Sequence, residues 1–98
     1  MTSSPETEQA EQAFEITNER GLHARAATKL VLLAGKFKCD VTLIGEDGEG
    51  VNAKSVMGVL LLCGAKGSVV RVRAEGAGAE ACVAAIGELI RDRFGEAE

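Results

Sequence analysis

The sequence predicts an α+β domain, a four-stranded, mostly antiparallel sheet with three helices on one face, in the order β-α-β-β-α-β-α. Three observations point there. Segments at 13–17, 39–44 and 68–74 alternate apolar and polar residues with period two, as half-buried strands do. Segments 24–36 and 79–94 instead repeat apolar residues at spacings of three and four, as helices with one buried face do. Between them, Gly45-Glu-Asp-Gly48 has the turn chemistry that reverses a chain.

In chain order, Ala13-Phe-Glu-Ile-Thr17 places Phe14 and Ile16 on one face and Glu15 and Thr17 on the other, a first strand. Residues 24–36 contain no proline and only the late Gly35, and they align Ala27, Leu30, Val31 and Ala34 as one helical stripe. Cys39, Val41 and Leu43 share a strand face, and the turn at 45–48 folds that strand back onto Gly50-Val-Asn-Ala53. Ser55 then stands as N-cap to a short helix, Val56-Met-Gly-Val-Leu-Leu-Leu62. Val70, Val72 and Ala74 form the inner face of a further strand, with Arg71 and Arg73 outside. Val83, Ile86 and Ile90 mark the last helix, 79–94.

At 98 residues the chain is long enough for one core without disulfide staples and too short for two ordinary domains. The folded domain is expected at 13–94. Residues 1–12, rich in Ser, Thr, Glu and Gln, are expected as a disordered leader, because they bury too little to offset their ordering entropy. Residues 95–98 are expected to fray after Gly95.

A net charge of −4, with Arg71-Val-Arg73 as the only locally basic stretch, argues against a nucleic-acid or anionic-membrane binder, which needs a basic stripe to displace counterions. No apolar run approaches the roughly 20 residues that span a bilayer, and the N-terminal residues lack a secretory signal pattern, so a cytoplasmic protein without membrane insertion is expected. Cys39, Cys63 and Cys82 form no C-x-x-C pair and have one histidine to help them, which fits buried reduced thiols and no metal site.

Chemistry concentrates in Asn18-Glu-Arg-Gly-Leu-His23-Ala-Arg25, between the first strand and first helix. A helix N-terminus has unpaired N–H groups and a partial positive charge that together stabilise an anion by roughly 0.3–2 kcal/mol. Imidazole is nucleophilic at neutral pH and carries a labile phosphoryl group, and Arg25 supplies donors for phosphoryl oxygens. An exposed histidine that merely caps the helix explains the same placement, so the pattern alone leaves both readings open.

Gly21-Leu-His-Ala-Arg25 with Ala27-Thr-Lys-Leu30, then Val51-Asn-Ala-Lys-Ser-Val-Met-Gly58 and Gly64-Ala-Lys-Gly67, resembles the HPr family, histidine-containing phosphocarriers of the bacterial phosphoenolpyruvate-dependent phosphotransferase system. The resemblance covers about residues 13–94 and implies an open-faced β-sandwich. It further implies that His23 accepts a phosphoryl group on Nδ1 from phosphorylated enzyme I and passes it to an enzyme IIA domain, with Arg25 at the family's active-site arginine position. Such a protein is a stoichiometric carrier, not an enzyme, and works as a monomer without cofactor or metal. One departure is Ala26, where the family usually has Pro.

Ser55 has a plain role as helix cap. The resemblance adds a second one, as target of the HPr kinase/phosphorylase. The uncharged run 56–62 offers more apolar surface than one helical stripe needs. If Val59 and Leu62 pack inward, Val56, Met57 and Leu60 are candidates for an exposed patch; burial of all of them against the last helix fits the spacing equally well. The resemblance assigns partner docking to Ala24, Thr28, Val56, Met57 and Leu60. Gly64-Ala-Lys-Gly-Ser68 lacks phosphate-loop spacing and reads as a turn. A rival reading remains: an HPr-like regulatory binding module of carbon or nitrogen signalling that does not feed sugar uptake.

Overall fold

The structure, a computed structural model, describes residues 8–62 and 64–98. Its elements run β1 (Gln9–Glu15), α1 (Ala24–Ala34), β2 (Asp40–Ile44), β3 (Gly50–Asn52), α2 (Val56–Leu61), β4 (Val69–Glu75) and α3 (Ala79–Arg91), followed by a 3₁₀ turn, Arg93–Gly95. The strands form one sheet in the order β1-β4-β2-β3, and each neighbouring pair is antiparallel. This is the α+β architecture expected from the sequence, with every element near its expected place.

Period-two burial shows how the sheet is covered. Val70, Val72 and Ala74 are buried under the helices while Arg71 and Arg73 face solvent, so one face is packed and the other wet. Leu30 from α1, Val59 from α2, and Ile86 and Ile90 from α3 complete the core with Phe14, Ile16 and Leu43. Helix α3 approaches β1 closely through Gly87, where a Cβ would lie 2.4 Å from the Phe14 ring. No helix among the described residues is long and apolar enough to cross a membrane.

Both expected chain ends need correction. Residues 9–12, assigned to a disordered leader, are instead part of β1, whose register with β4 runs from Gln9 opposite Glu75 to Glu15 opposite Val69. Composition misses this because the ladder is made by backbone groups, which polar side chains do not disturb on the wet face. There, Glu11 meets Arg71 at 2.6 Å and Arg73 at 2.8 Å. Residues 1–7 lie outside the described residues. Thr17 falls outside the strand, although Ile16 still donates to Ser68 O at 2.9 Å.

The C-terminal residues are docked, not frayed. Helix α3 stops at Arg91 instead of Phe94, because Arg93, Phe94 and Gly95 all take left-handed backbone, with φ of 56°, 56° and 77°. That turn drives the Phe94 side chain into the core and sends 96–98 back toward the start of α1, where Glu98 O accepts from Glu19 N at 3.0 Å. Lys29 Nζ secures the crossing by donating to Phe94 O at 2.6 Å. Cys39 and Cys82 are free, buried thiols, and burial beside Cys39 pushes Cys82 up to about 12. Cys63 lies outside the described residues.

Candidate functional site

The loop between β1 and α1 is shaped by Gly21 and Asn18. Gly21 has φ of +64° and donates to Asn18 O at 3.1 Å; a Cβ on it would lie 2.2 Å from Gly64 O. The fully buried Asn18 closes the loop by donating from Nδ2 to Gly21 O at 2.8 Å. Leu22, buried beside it, donates its N–H to Gly64 O at 2.7 Å, which ties this loop to the one before β4.

His23 follows as the N-cap of α1. Its backbone is extended, with φ −72° and ψ 175°, and its carbonyl accepts the first helical bond from Ala27 N at 2.8 Å. Ring Nδ1 accepts from Arg25 N at 3.3 Å, so this nitrogen faces the unpaired N–H groups of the first turn. Ring Nε2 is bonded to Glu96 Oε2, and the other carboxylate oxygen of Glu96 accepts from Asn18 Nδ2 at 3.0 Å. Hydrogen bonds from His23 first and Asn18 second hold the Glu96 carboxyl below its usual range, against the opposing effect of burial.

A carboxylate on Nε2 selects the tautomer that carries its proton there and leaves a lone pair on Nδ1. The ring is about one-fifth exposed, enough to be reached from solvent. Beside it, Glu19, Arg20, Arg25, Lys29 and residues 95–98 line a polar hollow of about 390 Å³. Arg25 is exposed at that hollow, two residues beyond the imidazole.

The structure brings His23 and Arg25 together with Asn18 and Glu96, which sequence reasoning had given no role. Asn18 stood inside the singled-out segment, but nothing in the sequence paired it with a residue 78 positions away. Phe94 immediately before Gly95 was the available hint, since a large apolar residue beyond a helix has to be buried somewhere.

Ser55 caps α2 as expected, its Oγ accepting from Gly58 N at 3.1 Å. Ala24 and Thr28 are exposed on α1, the Thr28 hydroxyl donating back to Ala24 O at 2.8 Å. On α2, Val59 is buried as anticipated. Of the suggested patch only Met57 is fully outward, at 71% exposure; Val56 and Leu60 are half-buried against the core because the helix rests on a broader stripe than spacing implied. Leu61, equally exposed, and Leu32 on α1 were not anticipated.

The family described as "PTS HPr component phosphorylation site" matches residues 10–92. The phosphocarrier protein HPr of Xylella fastidiosa (strain Temecula1) is 45% identical over 86 residues, covering 88% of this chain and 96% of the relative. That of Neisseria meningitidis (strain Z2491) is 41% identical over 87 residues, covering 89% and 97%. Among solved structures, HPr-C-His from Thermoanaerobacter tengcongensis superposes with a TM-score of 0.86 at 40% identity, covering 91% of this chain and 99% of that one.

Proposed function

Because the chain belongs to the HPr family and is thus a phosphocarrier of the phosphotransferase system, we propose that His23 Nδ1 is the atom that carries the phosphoryl group. The observation behind this reading is the placement of Nδ1, turned toward the first-turn N–H groups of α1 while Nε2 is occupied by Glu96. Attack by the Nδ1 lone pair on the phosphorus of a phosphohistidine in enzyme I forms one N–P bond as the donor's N–P bond breaks. The incoming oxygens then meet the positive end of α1 and the Arg25 guanidinium, both favourable to a dianion. Hand-off to a histidine of an enzyme IIA domain is the same step in reverse, so the protein acts as a stoichiometric cytoplasmic relay.

Docking involves the exposed side of α1 and α2, from Ala24 and Thr28 across to Met57, with Val56 and Leu60 flanking it. Ser55 is a regulatory site at the edge of that surface. A phosphate on its Oγ adds about −1.5 to −2 charge at the helix start, two residues from the exposed Met57, which repels an apolar partner while remaining compatible with the start of the helix.

Incubation with enzyme I and phosphoenolpyruvate is expected to add one acid-labile, base-stable phosphate to wild-type protein and none to His23→Ala. The label should chase onto an enzyme IIA domain. Label retained by His23→Ala overturns the assignment, and label that never leaves the protein favours the regulatory module. An HPr kinase is expected to modify wild type and not Ser55→Ala.

A further inference from the structure

We propose that Glu96 is a positioning residue for phosphotransfer at His23. Its carboxylate, delivered by the left-handed turn after α3, keeps the ring proton on Nε2 and the lone pair on Nδ1. The inference rests on His23 as the phosphoryl acceptor and adds what orients and primes it.

Three features show that this contact is built rather than incidental. First, both carboxylate oxygens are used, Oε2 by His23 Nε2 and Oε1 by Asn18 Nδ2 at 3.0 Å. Second, Asn18 is fully buried, and its Nδ2 serves both Gly21 O and Glu96. Both acceptors belong to the loop and strap that frame the imidazole, so one buried amide ties the two together. Third, Arg93 and Phe94 take left-handed backbone without being glycine, a conformation costing of order 1–3 kcal/mol that persists only where the surroundings impose it. Phe94 in the core, Lys29 Nζ on Phe94 O and Glu19 N on Glu98 O impose it.

The chemical consequence follows from charge. As Nδ1 forms its bond to phosphorus and the donor nitrogen takes back the electron pair of the breaking bond, the His23 ring becomes a phosphoimidazolium that still holds its Nε2 proton. Glu96 faces that proton and offsets the developing positive charge, as a carboxylate behind a catalytic imidazole does. In hand-off the N–P electrons return to Nδ1 and the ring becomes neutral again, its proton having stayed on Nε2 throughout.

Nitrogen-15 NMR of the ring in mildly alkaline buffer tests the tautomer, with enzyme I kinetics as the second readout. Wild type should show the proton on Nε2, and Glu96→Gln a larger share on Nδ1, because a glutamine has one oxygen for two donors. Phosphorylation of Glu96→Gln by enzyme I should fall about tenfold in kcat with KM unchanged, Glu96→Asp recovering part of it. A wild-type ring protonated on Nδ1, or kinetics in which only KM rises, overturns the proposal; the latter makes the strap a docking surface. Should wild type take up no phosphate at all, the carrier assignment fails, and the tautomer measurement still reports on Glu96 by itself.

Discussion

Helices α1 and α2 begin with the same device and are held by different means. Each has an extended N-cap whose side chain accepts a bond from the first turn, His23 Nδ1 from Arg25 N at 3.3 Å and Ser55 Oγ from Gly58 N at 3.1 Å. The neighbours of Ser55 are close in the chain: its N–H meets Asn52 O at 3.1 Å, and Asn52 Oδ1 accepts from Lys54 N at 2.9 Å. The frame around His23 comes from afar, with Glu96 reaching it across 73 positions and Leu22 anchored on Gly64. A local cap serves to start a helix. A cap whose second nitrogen is fixed by a distant carboxylate keeps its acceptor atom in one orientation, which is what a group that must react requires.

Breaking the long-range side should therefore have the larger effect. Gly21→Ala forces a Cβ within 2.2 Å of Gly64 O at a φ of +64°, so both the backbone conformation and the approach of the two loops are lost. We expect a loss of about 3 kcal/mol in urea unfolding, together with a sharp fall in phosphate uptake by His23. Loss of stability with full uptake would show that the loop does not orient the ring.

Ser55→Ala tests the local side and is expected to do less. Removing the hydroxyl leaves Gly58 N without its partner at a half-buried helix start, a cost of about 1 kcal/mol by the same unfolding measurement. Uptake of phosphate at His23 should remain at the wild-type level. A drop in uptake would mean that the two helix starts are coupled, and the contrast drawn between them would not stand.

The contrast also explains what was legible in the sequence. Strand faces followed from alternation, as at Val70, Val72 and Ala74, and helix stripes from spacing, as at Ile86 and Ile90, because both signals lie within a few residues. The Ser55 cap was readable for the same reason, and His23 and Arg25 were readable as a motif. Glu96 was not, since its role depends on three left-handed residues turning the chain back after α3, and a short polar tail looks alike whether docked or free. Residues 9–12 were missed by the complementary route: Glu11 looks solvated in sequence and is solvated in the sheet, while its backbone pairs with β4.

The smallest expected effect concerns Ala26, third residue of α1 and fully buried, at the position where the family usually carries Pro. The first i→i−4 bond of the helix is made by Ala27 N to His23 O, so the N–H of Ala26 precedes the ladder and its removal breaks no helical bond. Ala26→Pro should then act mainly on the unfolded chain, stabilising the protein by about 0.4–1 kcal/mol. Phosphate uptake should persist in both proteins, with a rate difference of at most a few-fold, because His23, Arg25 and Glu96 stand in place in either case. A destabilised Ala26→Pro would show that the buried slot around this methyl has closed over the space a proline ring needs. Unchanged stability with a large change in rate would place the effect in the orientation of the imidazole, on the long-range side of the contrast.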